Sequence, residues 1–411
     1  MPILLEEDLQ RPLPRMYRVR QQFDETRLED VAGTVRAELA KPEIRALVKP
    51  GMRIAVGVGS RGIQNLYTIV ETTVNSLKEL GAEPFIVSAM GSHGGGTEEG
   101  QREVLAGYGV TEERLGVPVV TTVDTVYLGN CANGRPVWFD RAAYEADLIV
   151  PINRVKLHTD FVGPIQSGLC KMLVIGLGNH KGCSAVHEEA PEVFADAIEE
   201  TARLILQKAP VGFGIAILEN AYDKTYAVEA VPAEHLIERE KELVQIAKGN
   251  MPYIMLDEAD VIVCGAIGKD ISGAGFDPNI LGRSSVLKQF VLHIPRYQRL
   301  VLCDVTPASH GNGIGVGLFD VITKKVVEQL DLESMYANAI ACNCLGDASV
   351  PCTVDDEETA IRVALKCCRN IDRDHPRIIR IQNTLHLGEI EVSEALLDAV
   401  RADSRMSLIE N

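Results

Sequence analysis

The chain has 411 residues, of which 46% are hydrophobic and 24% charged, as in globular proteins rather than disordered or fibrous ones. The chain has 41 Lys and Arg residues and 58 Asp and Glu residues, which gives a net charge of -17. This negative charge argues against general binding of nucleic acids or anionic membranes. No apolar run approaches the ~18 residues of a membrane-spanning helix, and the acidic start is unlike a signal peptide. The ten cysteines show no secreted disulfide pattern, so a soluble cytoplasmic protein is expected.

In chain order, β-rich apolar runs alternate with helical patterns, which favours an α/β fold with mainly parallel sheets. The first series has predicted strands at 53–57, 84–90, 147–152 and 212–218, and helices at about 64–80, from 98 onwards and at 192–207. After a charged helix at 234–249, the second series has strands near 260, 299, 339 and 377 and helices at about 357–369 and 392–400. We predict two α/β domains, 1–255 and 256–411, and allow the last helix to pack on the first domain.

Glycine-rich loops follow several predicted strands, and in open parallel sheets ligands bind at the carboxyl ends of the strands. Arg61 lies in such a loop after the first strand. The sequence GSHGGGT at residues 91–97, which contains His93, follows the second strand and precedes a helix. Because glycine N–H groups can approach an anion at a helix N-terminus, this loop is suited to cradle a phosphate.

Residues 153–187 concentrate basic side chains among small and apolar ones. Lys171 lies in the apolar stretch GLCKMLVIGLG, where burial favours a neutral amine or an anionic or covalent partner. The spacing of His180, Cys183 and His187 is compatible with metal binding by soft or borderline ligands. We interpret this segment, which also contains His158, as the most informative candidate site.

Two further loops belong to the second series. Residues 268–283 follow a predicted strand and carry Lys269 and Arg283, and the glycine-rich residues 306–317 contain His310. Loops of this kind facing the first domain would form a cleft, so we predict that cofactor and substrate bind between the domains.

In order and spacing, these motifs resemble the nickel-dependent lactate racemases and their relatives among the 2-hydroxyacid racemases and epimerases. The resemblance covers most of the chain and rests on Arg61, GSHGGGT with His93, NRVKLHTDF with His158, Lys171, His187 and DISGAGFDPNILGR. It implies two α/β domains closing on a nickel-pincer nucleotide, which is the pyridinium-3,5-bisthiocarboxylic acid mononucleotide of nickel, with two sulfur arms and a nickel–carbon bond.

The resemblance also implies a role for each matching residue. His93 and His158 match a pair of acid/base histidines on opposite sides of the substrate carbon, and Arg61 matches an arginine near the reacting oxygen. Lys171 matches a lysine that can form a thioamide with the cofactor, and His187 matches the protein ligand of nickel. Further cofactor contacts are expected from Ser92, Gly94, Gly95, Thr97 and Lys156.

The implied chemistry explains these residue types. Hydride leaves C2 of the 2-hydroxyacid for the cofactor while one histidine takes the hydroxyl proton, which gives a planar 2-oxoacid. Return of hydride to the other face inverts the centre. Two imidazoles suit both directions because each can act as base for one enantiomer and acid for the other. The cofactor supplies the difficult step and the protein positions it.

The sequence departs from the family near the expected substrate. Val58 stands where members carry an aspartate, and in an ungapped comparison Gly282 and Ser285 stand where they hold the lactate carboxylate with Gln and Lys. A bulkier or more hydroxylated acid than lactate, such as a sugar acid, is therefore a candidate substrate. The residues expected to bind it are Arg61, Lys269, Asn279, Arg283 and His310.

Two other hypotheses remain open. Ten cysteines allow an iron–sulfur or zinc-binding redox protein, although no CxxC occurs and Cys342, Cys344 and Cys352 lack ferredoxin spacing. Glycine-rich loops alone allow a non-catalytic nucleotide-binding protein, which the two histidines and Lys171 disfavour. The partners expected for the leading hypothesis are the small-molecule acid, the proteins that synthesise the cofactor and a further copy of the chain.

Overall fold

The computed structural model describes residues 4–60 and 62–410, which form two compact units. One unit comprises residues 25–251, and the other comprises residues 1–24 together with 252–411. Both contain mixed sheets of mainly parallel strands with helices between them, so the predicted α/β class is confirmed.

Two elements precede the first unit along the chain, α1 (Glu6–Gln10) and β1 (Met16–Gln21). The elements of residues 25–251 are then α2 (Val31–Leu39), α3 (Pro42–Arg45), β2 (Arg53–Val58), α4 (Leu66–Glu79), β3 (Glu83–Ser88), α5 (Glu98–Gly107), α6 (Glu112–Leu115), β4 (Val119–Val120), β5 (Thr125–Asn130), β6 (Pro136–Asp140), α7 (Arg141–Tyr144), β7 (Leu148–Arg154), α8 (Leu169–Lys171), α9 (Asn179–His187), α10 (Phe194–Lys208), β8 (Phe213–Glu219), β9 (Thr225–Pro232) and α11 (Leu236–Asn250). A π-helical turn, Met172–Gly176, follows α8.

The sheet of this unit has the strand order β4-β3-β2-β7-β8-β9. All neighbouring pairs are parallel except β8 and β9, which pair antiparallel. Strands β2 and β3 read RIAVGV and EPFIVS and are buried after their first residue, as expected for strands covered by helices on both faces. Because β3, β2 and β7 are adjacent and parallel, the loops that follow them meet at one edge of the sheet.

The turn after β3 packs tightly against the π-helical turn. The N–H of Gly91 donates to the carbonyl of Gly176 (3.0 Å). A Cβ on Gly176 would lie 2.8 Å from the carbonyl oxygen of Ala89, and one on Gly91 would lie 2.9 Å from that of Ile175. The two backbones therefore approach as closely as glycines allow, which fixes the glycine-rich loop against the segment that carries Lys171 and His187.

The elements of residues 252–411 are β10 (Val261–Cys264), α12 (Pro278–Leu281), β11 (Arg299–Leu302), β12 (Val321–Thr323), α13 (Lys324–Gln329), α14 (Leu332–Ala341), β13 (Cys352–Val354), α15 (Glu357–Lys366), β14 (Ile378–Ile381), β15 (Glu389–Ser393), α16 (Leu397–Ala402) and β16 (Met406–Leu408). Their sheet has the order β13-β12-β11-β10-β14-β15-β1-β16. Strands β10 to β14 pair in parallel, whereas β15, β1 and β16 form an antiparallel extension.

The predicted domain limits of 1–255 and 256–411 stay a prediction, but the compact units differ from them in one respect. Residues 1–24 belong with the C-terminal part because β1 pairs with β15 and β16, and the last helix, α16, lies in that unit too. Pairing between strands so distant along the chain leaves no local signal in the sequence.

One predicted strand is wrong. Residues 339–341 end helix α14, whose first turn is capped by Asp331, which accepts the N–H groups of Glu333 (3.0 Å) and Ser334 (3.2 Å). An aspartate before an apolar segment is a helix-start signal that outweighs a short apolar run. Within the described residues, no helix is both long and apolar enough to span a membrane.

The close approach of the two turns predicts the effect of Gly176→Ala. Because the added methyl would meet the Ala89 carbonyl and the Met172 sulfur within 2.9 Å, the free energy of unfolding of this unit should fall by about 1–3 kcal/mol in urea titrations. Gly107→Ala, at the end of α5 where a Cβ meets open space, is the control and should change stability by less than about 1 kcal/mol. Equal stability of the Gly176→Ala variant and the natural protein would contradict this packing.

Candidate functional site

His93 lies exposed in the loop after β3, and its ring nitrogen Nδ1 contacts the Ser60 hydroxyl in the loop after β2. The backbone carbonyl of Ser60 accepts a hydrogen bond from the Tyr108 hydroxyl (2.9 Å). The hydroxyl of Ser60 therefore orients the imidazole, and Tyr108 anchors the loop that carries this serine.

The buried side chain of Gln101 in α5 holds the glycine-rich loop in place by hydrogen bonds. Its side-chain N–H₂ donates to the carbonyls of Gly91 (3.1 Å) and His93 (3.4 Å), while its oxygen accepts from the Ser88 hydroxyl (2.6 Å). One amide thus ties the end of β3 to the loop on both sides of Ser92. The sequence analysis missed Gln101, since a polar residue in an amphipathic helix gives no sign of burial.

The remaining loop residues differ in their surroundings. Gly94 has φ +64°, and a Cβ there would lie 2.6 Å from the backbone of Gly100, so only glycine fits. Gly95 is exposed with open space around it. Thr97 caps α5 by accepting the N–H of Gly100 (3.2 Å). Of the predicted cofactor contacts in this loop, Ser92, Gly95 and Thr97 are exposed and Gly94 is half-buried, and Thr97 also caps α5.

His158 lies in the loop after β7 and contacts Lys171, with 2.5 Å between Nε2 and Nζ. The other ring nitrogen, Nδ1, accepts the backbone N–H of Asp160 (3.1 Å). The ring stacks on Phe161 with 4.3 Å between centroids, and the backbone N–H of His158 donates to Gln166 (2.7 Å). The imidazole is therefore fixed from three sides and directed at the lysine.

The loop between β7 and α8 folds back on itself. Lys156 and Ser167 exchange two backbone hydrogen bonds of 2.9 and 3.2 Å, and the Asn153 amide donates to the Gly168 carbonyl (2.8 Å). These bonds bring Lys171, thirteen residues after His158, back to the histidine. Lys156 itself is half-buried at the base of this loop.

Glu240 of α11 lies fully buried beneath the start of α8. Its carboxylate accepts the backbone N–H of Cys170 (2.8 Å), and a Cβ on Gly168 would lie 2.5 Å from the carboxylate carbon. Burial raises the pKa of Glu240 to about 7, although the backbone N–H groups of Cys170 and Leu169 oppose this. A carboxyl group thus occupies the N-terminal end of the short helix that carries Lys171.

Cys183 and His187 form a pair on successive turns of α9. The His187 Nδ1 lies 2.7 Å from the Cys183 carbonyl oxygen and 3.5 Å from its sulfur. Burial opposes both charged forms, but the contact between them outweighs it, lowering the pKa of Cys183 and raising that of His187. The charge of Lys171 acts in the opposite direction and lowers the pKa of His187.

The pair also reaches the glycine-rich loop, because the Ser92 hydroxyl lies 3.9 Å from the Cys183 sulfur. Contacts therefore join Ser92, in the loop of His93, to Cys183 and His187, and a separate contact joins Lys171 to His158. The described residues contain no group of three or more His, Cys, Asp or Glu side chains able to hold a metal. The spacing of His180, Cys183 and His187 thus does not make a three-ligand site.

The two histidines proposed as acid and base follow strands on either side of β2. His93 comes after β3 and His158 after β7. Adjacent strands lie about 4.8 Å apart, so the ends of β3 and β7 are about 10 Å from each other. Arg61, which follows β2 in the sequence, lies outside the described residues, so its place at the site stays a prediction.

Four of the predicted substrate-binding residues, Lys269, Asn279, Arg283 and His310, lie in the other unit. Arg283 donates to the Leu318 carbonyl (2.8 Å) and to Asp320 (2.6 Å), and Lys269 donates to the Gly273 carbonyl (2.6 Å). Asn279 is buried, and its backbone N–H donates to Asp277 (3.0 Å). His310 is exposed at the end of a short helical turn with φ +46°. Their roles in binding a substrate stay predictions.

Fold and site together define an α/β protein with a histidine and lysine site at the carboxyl edge of a parallel sheet. Residues 11–196 match the model of the lactate racemase N-terminal domain, so this part of the chain is similar to that family. The resemblance stated from the sequence is thereby confirmed. The family supports a racemase, and hence an isomerase, in general terms.

Two solved structures are similar to the chain. The lactate racemase apoprotein from Thermoanaerobacterium thermosaccharolyticum is 11% identical with a TM-score of 0.55, over 89% of this chain and 93% of that one. At this identity, the likeness shows a shared fold. A protein from Thermotoga maritima is 13% identical with a TM-score of 0.49, over 80% of this chain and 85% of that one. No curated protein sequence matches the chain significantly.

The buried Glu240 predicts a pH-dependent stability. The folded protein keeps its proton up to about pH 7, whereas an unfolded carboxyl releases it near 4.5, so this group lowers the free energy of unfolding as pH rises between these values. Glu240→Gln should remove this effect. Relative to the natural protein, its free energy of unfolding should rise by up to about 3 kcal/mol between about pH 5 and pH 8.

The matched control is Glu242→Gln, on the same helix but exposed in an ion pair with Arg239. Urea titrations at the two pH values should show no comparable change for this variant. A Glu240→Gln protein whose stability follows that of the natural protein at both pH values would contradict the assignment.

Proposed function

We propose that the protein is a racemase or epimerase that inverts C2 of a 2-hydroxyacid with a nickel-pincer nucleotide as its cofactor. The observation that carries the proposal is the placement of His93 and His158 after strands on opposite sides of β2, with Lys171 and His187 on the connected segment. A gap of about 10 Å between strand ends accommodates a small acid between two imidazoles.

The residues present fit such a cofactor. Lys171 offers an amine beside His158, and His187 offers a ring nitrogen. Because Nδ1 of His187 lies 2.7 Å from the Cys183 carbonyl oxygen, its proton is held there and the lone pair is on Nε2. Neutral imidazole is a suitable ligand for nickel. The exposed Gly95 and its half-buried neighbours Gly94 and Gly96 form a turn whose backbone could approach the nucleotide phosphate.

When bound, the cofactor would supply the acceptor of hydride from C2. The chain's own part is proton transfer at the substrate hydroxyl. One imidazole accepts that proton as the carbon becomes planar, and the other returns a proton when the opposite enantiomer forms. Ser60 contacts Nδ1 of His93, so Nε2 of that ring points away from the serine. Nε2 of His158 contacts Lys171, so proton transfer at this atom would require the substrate hydroxyl to replace or share the lysine contact.

The substrate is an anion, and a chain with a net charge of -17 needs local cations to attract it. Arg61, Lys269 and Arg283 are the candidates. Arg283 and Lys269 already donate to groups in their own unit, so binding a carboxylate would require them to exchange or share these partners. We retain a 2-hydroxyacid larger or more hydroxylated than lactate as the proposed substrate.

Substitution of either acid/base histidine tests this proposal. His93→Ala and His158→Ala should each reduce inversion by about 10²–10⁴-fold, because each direction needs both a base and an acid. Chiral chromatography of a panel of 2-hydroxyacids measures the rate, and elemental analysis should show nickel still bound. His180→Ala, at an exposed position of α9, is the control. Full turnover by both single variants would rule out their role.

Nickel retention tests His187. Without its imidazole the metal loses its protein ligand, so His187→Ala should retain less nickel after gel filtration than the natural protein or His180→Ala. Both residues are exposed on α9, which makes them a matched pair. Unchanged nickel content would reject the assignment.

Metal analysis also separates the proposal from the other two hypotheses. Protein produced with the cofactor-synthesis enzymes should contain nickel and a pyridinium-nucleotide mass adduct. Iron with labile sulfide would instead indicate a redox protein, and a bound nucleotide without metal would indicate a non-catalytic binder. Either of these results would overturn the proposal.

A further inference from the structure

Exposed hydrophobic side chains are concentrated in one short segment of the C-terminal part. Within the described residues, eleven large hydrophobic side chains are exposed, and five of them lie between residues 332 and 350. We call these five the α14 patch, which consists of Leu332, Tyr336, Ile340, Leu345 and Val350. Single exposed hydrophobic residues are ordinary on a protein surface, whereas a contiguous group of them marks an interaction site.

Helix α14 arranges three of the five side chains in a row. Leu332, Tyr336 and Ile340 are spaced by four residues, so they lie one above the other on one face of the helix. A second face packs inside the unit, where Met335 and Ala339 are fully buried. The exposed row is therefore additional to the apolar face that attaches the helix to its own core.

The segment after α14 extends this row. The N–H groups of Asn343 and Cys344 donate to the carbonyls of Ile340 (3.2 Å) and Ala339 (2.9 Å), which turns the chain back at the end of the helix. The short helical turn Leu345–Ala348 then contacts α14. Leu345, in this turn, and Val350, two residues beyond it, thus lie close to the helix and enlarge its exposed apolar face.

The α14 patch lies in a part of the chain with very little charge. Residues 332–352 contain two charged residues, Glu333 and Asp347, although 24% of the whole chain is charged. Asp347 is buried, so the charge that this segment exposes is that of Glu333. A basic partner would need a group of carboxylates here, and an anionic lipid surface would need cations. The segment offers neither.

We propose that the α14 patch is the interface through which two copies of this chain form a symmetric dimer. Two chains that each carry a net charge of -17 repel one another, so they approach closely only through faces without charge. A two-fold axis brings the same face of each copy together, and an uncharged apolar face is complementary to itself. The dimer is independent of the proposed function.

The size of the patch predicts a weak dimer. Its side chains are 44–69% exposed, which corresponds to an apolar area of roughly 400–500 Å² per copy. Together with a polar rim, two such faces bury about the 1,000 Å² at which specific interfaces begin. We therefore expect a dissociation constant of roughly 1–100 μM.

Sedimentation velocity of the full-length protein between about 1 and 300 μM tests the proposal, because this range brackets the expected dissociation constant. The natural protein should contain dimer at the upper concentrations. Ile340→Glu introduces a carboxylate on both sides of the interface, so it should raise the dissociation constant at least about 100-fold. Tyr336→Glu, in the same row, should have a similar effect. A natural protein that stays monomeric at the highest concentration would overturn the proposal.

Leu408→Glu is the matched control, because Leu408 is an exposed hydrophobic residue of the same unit outside the patch. Its dissociation constant should stay within about threefold of that of the natural protein. Urea unfolding at concentrations where monomer predominates should give the same midpoint for both variants, since both positions are exposed. Equal dimerisation by Ile340→Glu and Leu408→Glu would reject the α14 patch as the interface.

Salt distinguishes an apolar interface from an ionic one. Raising NaCl from about 0.05 to 0.5 M screens the repulsion between two acidic chains, so the dimer should become several-fold tighter. A dimer that dissociates as salt is added would be held by ion pairs, which the α14 patch does not provide. That result would also overturn the proposal.

Discussion

The close approach of two backbone turns organises the N-terminal unit. Gly91 after β3 and Gly176 at the end of the π-helical turn are joined by a hydrogen bond of 3.0 Å, and neither position leaves room for a side chain. This contact joins a loop that carries one histidine to a segment that carries a lysine and a second histidine.

Two buried polar side chains hold the segments of this arrangement in place by hydrogen bonds to the backbone. Gln101 holds the glycine-rich loop by two carbonyls, and Glu240 occupies the N-terminal end of α8. Each polar group sits in an apolar interior where its hydrogen bonds are difficult to replace. The site is therefore supported by side chains that take no part in the proposed chemistry, while the imidazoles and the amine remain at the edge of the sheet.

The histidines differ in what surrounds them. His93 contacts a serine hydroxyl and is exposed, whereas His158 stacks on Phe161 and contacts Lys171. Different environments can give two chemically identical groups different proton affinities. A racemase needs acid and base on opposite sides of a carbon, but it does not need the two sides to be equivalent.

Periodicity and turn residues in the sequence were enough to determine the α/β class and most strands of the N-terminal sheet, and residue spacing drew attention to the segment that holds both His158 and Lys171, because these are local patterns. The sequence did not reveal that β1 joins the C-terminal sheet, that residues 339–341 are helical, or that Ser60, Gln101, Cys183 and Glu240 support the site. Each of these depends on a contact between residues far apart in the chain or on burial of a polar group. Only the folded backbone decides such contacts, since the same residue in an exposed loop would have the same local sequence.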